Sequence, residues 1–319
     1  MRGRRLRNDV EKSYVHCFNR AAGCSGDQFF GDVEKEKFFQ LAERLQKFYC
    51  LEVISFVCMS NHWHAIVCTY PDLPDREEVK PRFRAFYGNN ATEPDWGDSE
   101  VVERYAKRMR DVSCFVKDLQ QRFTCWYNRH HHRRGRLWAD RFKSVLLEEG
   151  RALWECLKYV EMNPVRAGLC KDPADYRFCS WGRYCGSGEH PFAEAFEKHL
   201  LICVPMEGVE SVDEDNIDLT EATNFFASEM ARVAASERRE TPEEIRKSAS
   251  NAGKVQPFDL RVTRRLRYWT DGAIIGSKAF VERLATDHFG AEQVRKKRMK
   301  VSVPPSGSSS SLIAYRQLT

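Results

Sequence analysis

No stretch of the 319-residue chain approaches the roughly 18 consecutive apolar residues that a membrane helix needs. The basic N-terminus MRGRRLRNDVEK is followed by no apolar segment of the kind that directs export. No C-x-x-C pair occurs among the twelve cysteines, which stand singly at wide, irregular intervals from Cys17 to Cys203. That spacing excludes a zinc ribbon and, without an export signal, argues for reduced thiols in a cytoplasmic protein. There is no G-x-x-x-x-G-K-S/T loop, so no nucleotide cofactor is expected, and no internal repeat. What is present is 42% hydrophobic residues, enough to bury a substantial core in one large or two smaller domains.

The net charge of +5 is unevenly placed: residues 1–190 carry all of it, and residues 191–319 are neutral. From Leu119 to Ala139 there is no acidic residue, while Arg122, Arg129, Arg133, Arg134, Arg136 and His130, His131 and His132 alternate with Phe123, Trp126, Tyr127 and Trp138. Guanidinium groups pair with phosphates and aromatic rings stack on bases, so this segment suits nucleic acid; a solvated basic loop has the same composition. The three histidines read as surface loop.

Ser13–Asn19 has the content of a strand, and Asp32–Phe48 the apolar spacing of an amphipathic helix. Glu52–Met59 and His62–Thr69 form a hairpin around Ser60-Asn61. Residues 71–100, rich in Pro, Asp, Glu, Gly and Asn, read as an insertion outside the core. One long helix is expected from Tyr105 to Tyr127, then a strand at Phe142–Leu147 and a helix at Gly150–Met162 stopped by Pro164. Strand, helix, strand, strand, helix, strand is the α+β, ferredoxin-like (split βαβ) order with one appended helix, and it puts His62 and His64 on a central strand. Residues 191–319 read as a mostly helical C-terminal module, with helices near 192–202, 220–232, 241–250 and 277–287. Within it lie a candidate DNA-binding segment at 261–300 and a flexible tail at 304–311.

On a strand His62 and His64 share a face, where two imidazoles can hold a divalent ion or simply be solvated. Tyr159 and Asn163 lie four apart on one helical face, with Glu155 one turn back. By spacing alone they read equally as a core tyrosine and a helix cap before proline.

The runs CMSNHWHAIV (58–67) and LKYVEMNPVRAG (157–168) resemble the single-tyrosine HUH transposases, specifically the REP-associated tyrosine transposases. VHCFNR (15–20), YNRHHHRRGRLWADRFKS (127–144) and DYRFCSWGRY (175–184) are similar too, so the resemblance spans roughly residues 12–185. It implies an HUH-type nuclease domain at 1–190, with His62, His64 and Asn163 holding Mg²⁺ or Mn²⁺ and Tyr159 as nucleophile. Glu155 is a candidate to position a ligand or water. The implied activity is cleavage and rejoining of single-stranded DNA beside a repeat hairpin, through a 5′-phosphotyrosine, in the bacterial cytoplasm or nucleoid. Arg122, Arg129, Arg133, Arg134 and Arg136 are candidate DNA contacts, and Arg4, Arg5 and Arg7 a basic arm reaching the same hairpin. The insertion and the C-terminal 130 residues exceed the family's minimal pattern, and monomer or homodimer stays open. Competing readings are an inactive sequence-specific DNA-binding protein of the same fold and a replication-type nickase.

Overall fold

The structure is a computed structural model that describes residues 6, 8, 10–24, 27–88, 90–186, 190, 192–205, 218–237, 269–270, 272–296, 300–301 and 312–315. In chain order the elements are β1 (Ser13–Arg20), α1 (Asp32–Gln46), β2 (Leu51–Cys58), β3 (His62–Thr69), α2 (Arg76–Tyr87), α3 (Ser99–Arg110), α4 (Val112–His130), β4 (Lys143–Leu147), α5 (Arg151–Glu161), α6 (Asn163–Arg166) and α7 (Ser180–Cys185). There follow α8 (Ala193–Cys203), α9 (Leu219–Glu237), β5 (Ile274–Gly276), α10 (Lys278–Phe289), α11 (Ala291–Lys296), β6 (Lys300–Val301) and β7 (Ile313–Tyr315). No helix among the described residues is long and apolar enough to cross a membrane.

Among the described residues seven strands form one sheet, in the order β2-β3-β1-β4-β5-β7-β6. The first four are mutually antiparallel, with β3 and β1 in the interior, and β5 joins β4 in parallel. Alternation along β3 divides the molecule into layers. Trp63 points to one face, where Phe38 of α1 meets it edge-on at 5.8 Å between ring centroids and Phe123 of α4 meets Phe38 at 4.6 Å. His64 points to the other face, against Tyr159 of α5. Helices α1 and α4 therefore cover one side and α5 the other, where α8 packs on α5 and β2, and α9 on α8 and α6.

Three sequence expectations change here. The single helix from Tyr105 to Tyr127 is two, because Asp111 leaves the helical region (φ −84°, ψ 110°) and its carboxylate accepts the Ser113 and Cys114 N–H groups, capping α4. The 71–100 insertion is partly core: α2, capped by Asp75, buries Val79, Phe83 and Phe86, and Phe83 meets Trp96 and Tyr105. Its polar loops masked that apolar face. The C-terminal stretch is helical in α8, α9, α10 and α11, but it also supplies β5, β6 and β7 to the same sheet, strands too short to register as a period in the sequence. The expected helix at 241–250, the tail at 304–311 and most basic residues of 261–300 lie outside the described residues.

Phe38→Ala is expected to cost about 3–5 kcal/mol, since the ring is fully buried among four aromatic neighbours. Asp111→Ala, which removes only a cap, should cost about 1 kcal/mol. Urea titrations followed by circular dichroism read both.

Candidate active site

Of the candidate residues, His62, His64 and Tyr159 converge on the α5 side of the sheet, at the end where β1 pairs Phe18 with His64 and Arg20 with His62. The two imidazoles of β3 have ring centroids 5.4 Å apart and stand edge-on. Tyr159, from the last turn of α5, meets His64 at 5.8 Å, also edge-on. Helix α5 is fixed in that orientation by Glu161, which accepts the Ser55 hydroxyl of β2 at 2.6 Å and the Trp181 N–H of α7 at 3.0 Å.

His16, two residues along β1 from Phe18 and so on the same face, completes the histidine cluster. Its Nε2 lies 2.9 Å from His64 Nδ1, its ring stacks on His64, and it meets Tyr159 at 5.9 Å. Burial holds all three histidines neutral. His16 is lowered to about 3, His62 to about 4 with Arg20 adding repulsion, and His64 lies well below its usual value because His16, His62 and Arg166 add to its burial. A neutral imidazole is the ligating form.

Their hydrogen bonds leave the right atoms over. His62 Nδ1 lies 2.7 Å from Asn61 Oδ1, an acceptor, so the proton sits on Nδ1 and the lone pair on Nε2. If His64 Nδ1–H donates to His16 Nε2, His64 Nε2 is also a lone pair, and His16 carries its own proton on Nδ1. That Nδ1 makes no hydrogen bond, although the Trp269 main chain lies close enough to act on the ring. The donor set fits a divalent cation as two imidazole nitrogens plus a third ligand. Among the described residues no Cys, third His or carboxylate joins His62 and His64 at ligand distance. Asn163, the first residue of α6, follows the end of α5. Its Nδ2 donates to the Tyr159 and Val160 carbonyls at 3.0 Å, which makes it a helix cap and leaves Oδ1 for a ligand.

Glu155 does not reach this cluster. It sits 3.2 Å from Lys158, which also pairs with Glu229 of α9 at 3.1 Å, and burial raises Glu155 to about 7. A four-residue stripe on α5 spans two environments because the helix passes under α9. Arg122 packs its guanidinium 4.6 Å from the Phe86 ring centre, and Arg133 lies over Tyr127 with one nitrogen donating to the Arg136 carbonyl. Arg129, Arg134 and Arg136 are exposed. The loop holding the last three arginines returns to the sheet through Ala139 N–H donating to the Arg20 carbonyl, at the same end as His62. Arg4, Arg5 and Arg7 lie outside the described residues.

Three neighbours of Tyr159 were missed in the sequence. Arg166 lies 5.0 Å over the phenol ring, donates from Nη1 to the Tyr159 carbonyl, and keeps Nη2 as a buried donor with no partner. Trp269 stacks on the ring at 5.8 Å and is itself fully buried, which leaves Tyr159 only 2% exposed. Burial pushes the phenol up, against the pull of Arg166. His16 and Arg166 lay inside motifs quoted for their resemblance, and strand alternation from Phe18 pointed to His16. Nothing local marked Trp269.

No family model matches the chain, and no curated protein does. Among solved structures, the chain is similar to a REP-associated tyrosine transposase bound to a REP hairpin. The identity is 14%, 69% of this chain and 96% of that one are covered, and the TM-score is 0.39.

His16→Phe should weaken divalent-ion binding at the pair by about 10–100-fold with little loss of fold, because it removes the partner that orients His64; Mn²⁺ titration followed by electron paramagnetic resonance measures it. Trp269→Ala should make Tyr159 accessible to nitration by tetranitromethane, read by peptide mass spectrometry; unchanged protection would mean that Trp269 is not what covers the ring.

Proposed function

We propose that the protein is a metal-dependent single-stranded DNA endonuclease and strand transferase, of the transposase type, acting on hairpin-forming repeats through Tyr159. The observation that carries this reading is the meeting of His62, His64 and Tyr159 on one face of an interior strand, within motifs spaced as in the single-tyrosine HUH enzymes. In this reading β1, α1, β2, β3, α4 and β4 are the ferredoxin-like core and α5 is the added helix. Residues 1–190 carry the chemistry, and α9 and Trp269 of the C-terminal part pack on the helices that bear Tyr159 and Arg166.

His62 Nε2, His64 Nε2 and Asn163 Oδ1 would hold Mg²⁺ or Mn²⁺, for which mixed nitrogen and oxygen ligation with open positions is suitable. The ion supplies charge neutralisation on the non-bridging phosphate oxygens. Tyr159 Oη attacks the phosphorus and gives up its proton as the bond to the 3′ oxygen breaks. The products are a 5′-phosphotyrosine and a 3′-OH, and attack by a 3′-OH on that ester reverses the step without ATP. Arg166 contributes twice, favouring the phenolate through its position over the ring and offering Nη2 to a phosphate oxygen. Arg129, Arg134 and Arg136, exposed at the His62 end of the sheet, would take the hairpin backbone.

A second reading, a non-catalytic hairpin-binding protein, draws on one observation: Trp269 closes over the nucleophile. Incubation of the protein with an end-labelled hairpin oligonucleotide carrying a single-stranded flank, with Mn²⁺ present, separates the two. A covalent adduct on a denaturing gel is expected. It should be absent in Tyr159→Phe and with chelator, and reduced at least about a hundredfold in His64→Ala. An adduct that survives Tyr159→Phe sinks the mechanism. Binding without an adduct, in both the wild type and Trp269→Ala, establishes the non-catalytic reading.

A further inference from the structure

The run His130-His131-His132 has no part in the chemistry above, yet two of its rings lie beside a carboxylate from the start of α1. Glu34, in the first turn of α1, is buried. Its Oε2 accepts the Gly31 N–H at 2.8 Å, and its Oε1 lies 3.0 Å from His131 Nε2. His130 ends α4 and His131 caps it, both exposed. Each imidazole is held by an aromatic ring one turn back: His130 stacks on Trp126 at 5.0 Å, tilted only 10°, and His131 lies 4.2 Å from Tyr127. Tyr127 is itself anchored by its hydroxyl, which donates to the Phe29 carbonyl at 3.1 Å. One donor atom from each of Glu34, His130 and His131 lies within 4.8 Å of the others.

We propose that Glu34, His130 and His131 form a second divalent-cation site, of two imidazoles and one carboxylate, suited to a four-coordinate ion of the Zn²⁺ class. Bonds of about 2.0–2.2 Å to such an ion place neighbouring ligand atoms about 3.4 Å apart, near the 3.0 Å that already separates Glu34 Oε1 from His131 Nε2, so the exposed His130 is the ring that adjusts on binding. The carboxylate is already oriented by the Gly31 N–H and the rings by Trp126 and Tyr127, which lowers the ordering cost. The α4 C-terminus, the negative end of its dipole, faces the ion favourably. The fourth position opens to solvent. The site ties the start of α1 to the end of α4, from which the loop of Arg133, Arg134 and Arg136 departs, so the ion fixes the root of the basic segment. It stands whether or not the chain cuts DNA.

The experiment is titration of Co²⁺, as a coloured substitute for Zn²⁺, into the full chain carrying His62→Ala and His64→Ala. One equivalent should bind with the visible absorption of a four-coordinate ion, and Zn²⁺ should raise the melting temperature. Adding Glu34→Gln, which keeps an acceptor for the Gly31 N–H, or His131→Gln should weaken binding at least tenfold while the apo melting temperature holds. If the double variant fails to fold, the wild type should bind one equivalent more than Glu34→Gln with His131→Gln. The group Glu52, Cys68 and His199 at the far end of the sheet supplies the control. Binding that shows thiolate-to-cobalt absorption and disappears in Cys68→Ala, but not in Glu34→Gln, overturns the proposal. So does the absence of any bound ion at micromolar Co²⁺.

Discussion

Strand β3 is buried on both faces, and the rest of the molecule is organised by that constraint. A strand sends successive side chains to opposite sides. Trp63 therefore enters an aromatic core with Phe38 and Phe56, while His62 and His64 on either side of it turn towards α5. A one-residue slip in register would exchange the two sets, putting two imidazoles among phenylalanines and an indole beside the tyrosine. The dense packing of Phe38, Phe123 and Trp138 on the first face thus holds the histidines in place on the second.

Burial does chemical work at this site. His16 and His64 are buried and His62 half-buried, which disfavours the charged form of each, and neutral His62 and His64, their Nδ1 atoms hydrogen-bonded, present lone pairs to a cation. The same burial works against Tyr159, whose phenol is harder to ionise than a free tyrosine. Arg166 opposes that effect from directly over the ring. A closed site with a buried cation beside the nucleophile favours electrostatic stabilisation of a charged phosphate once Trp269 has given way to substrate.

The C-terminal residues are integral to this arrangement. Glu229 of α9 pairs with the buried Lys158 of α5, Glu237 pairs with Arg166 at 3.3 Å, and Trp269 stacks on Tyr159. Removing one member of a buried ion pair strands the other, at a typical cost of about 3–5 kcal/mol. The helix that carries the tyrosine is therefore held from both sides, by β2 and α7 through Glu161 and by α9 through Lys158 and Arg166.

Local pattern was enough to determine β1 to β4, α1, α5 and the shared face of His62 and His64, because strand and helix periods depend on neighbouring residues. It did not separate α3 from α4, since the apolar spacing runs through Asp111, and only the capping geometry shows the break. Polar loops around 71–100 hid the apolar face of α2. Tertiary structure alone decided that His16 meets His64, that Glu155 turns to Lys158 and Glu229 while Tyr159 faces the histidines, and that Trp269 closes the site. Apart from the Glu155–Lys158 pair, these contacts join residues distant in the chain, and distance through space carries no period along a sequence.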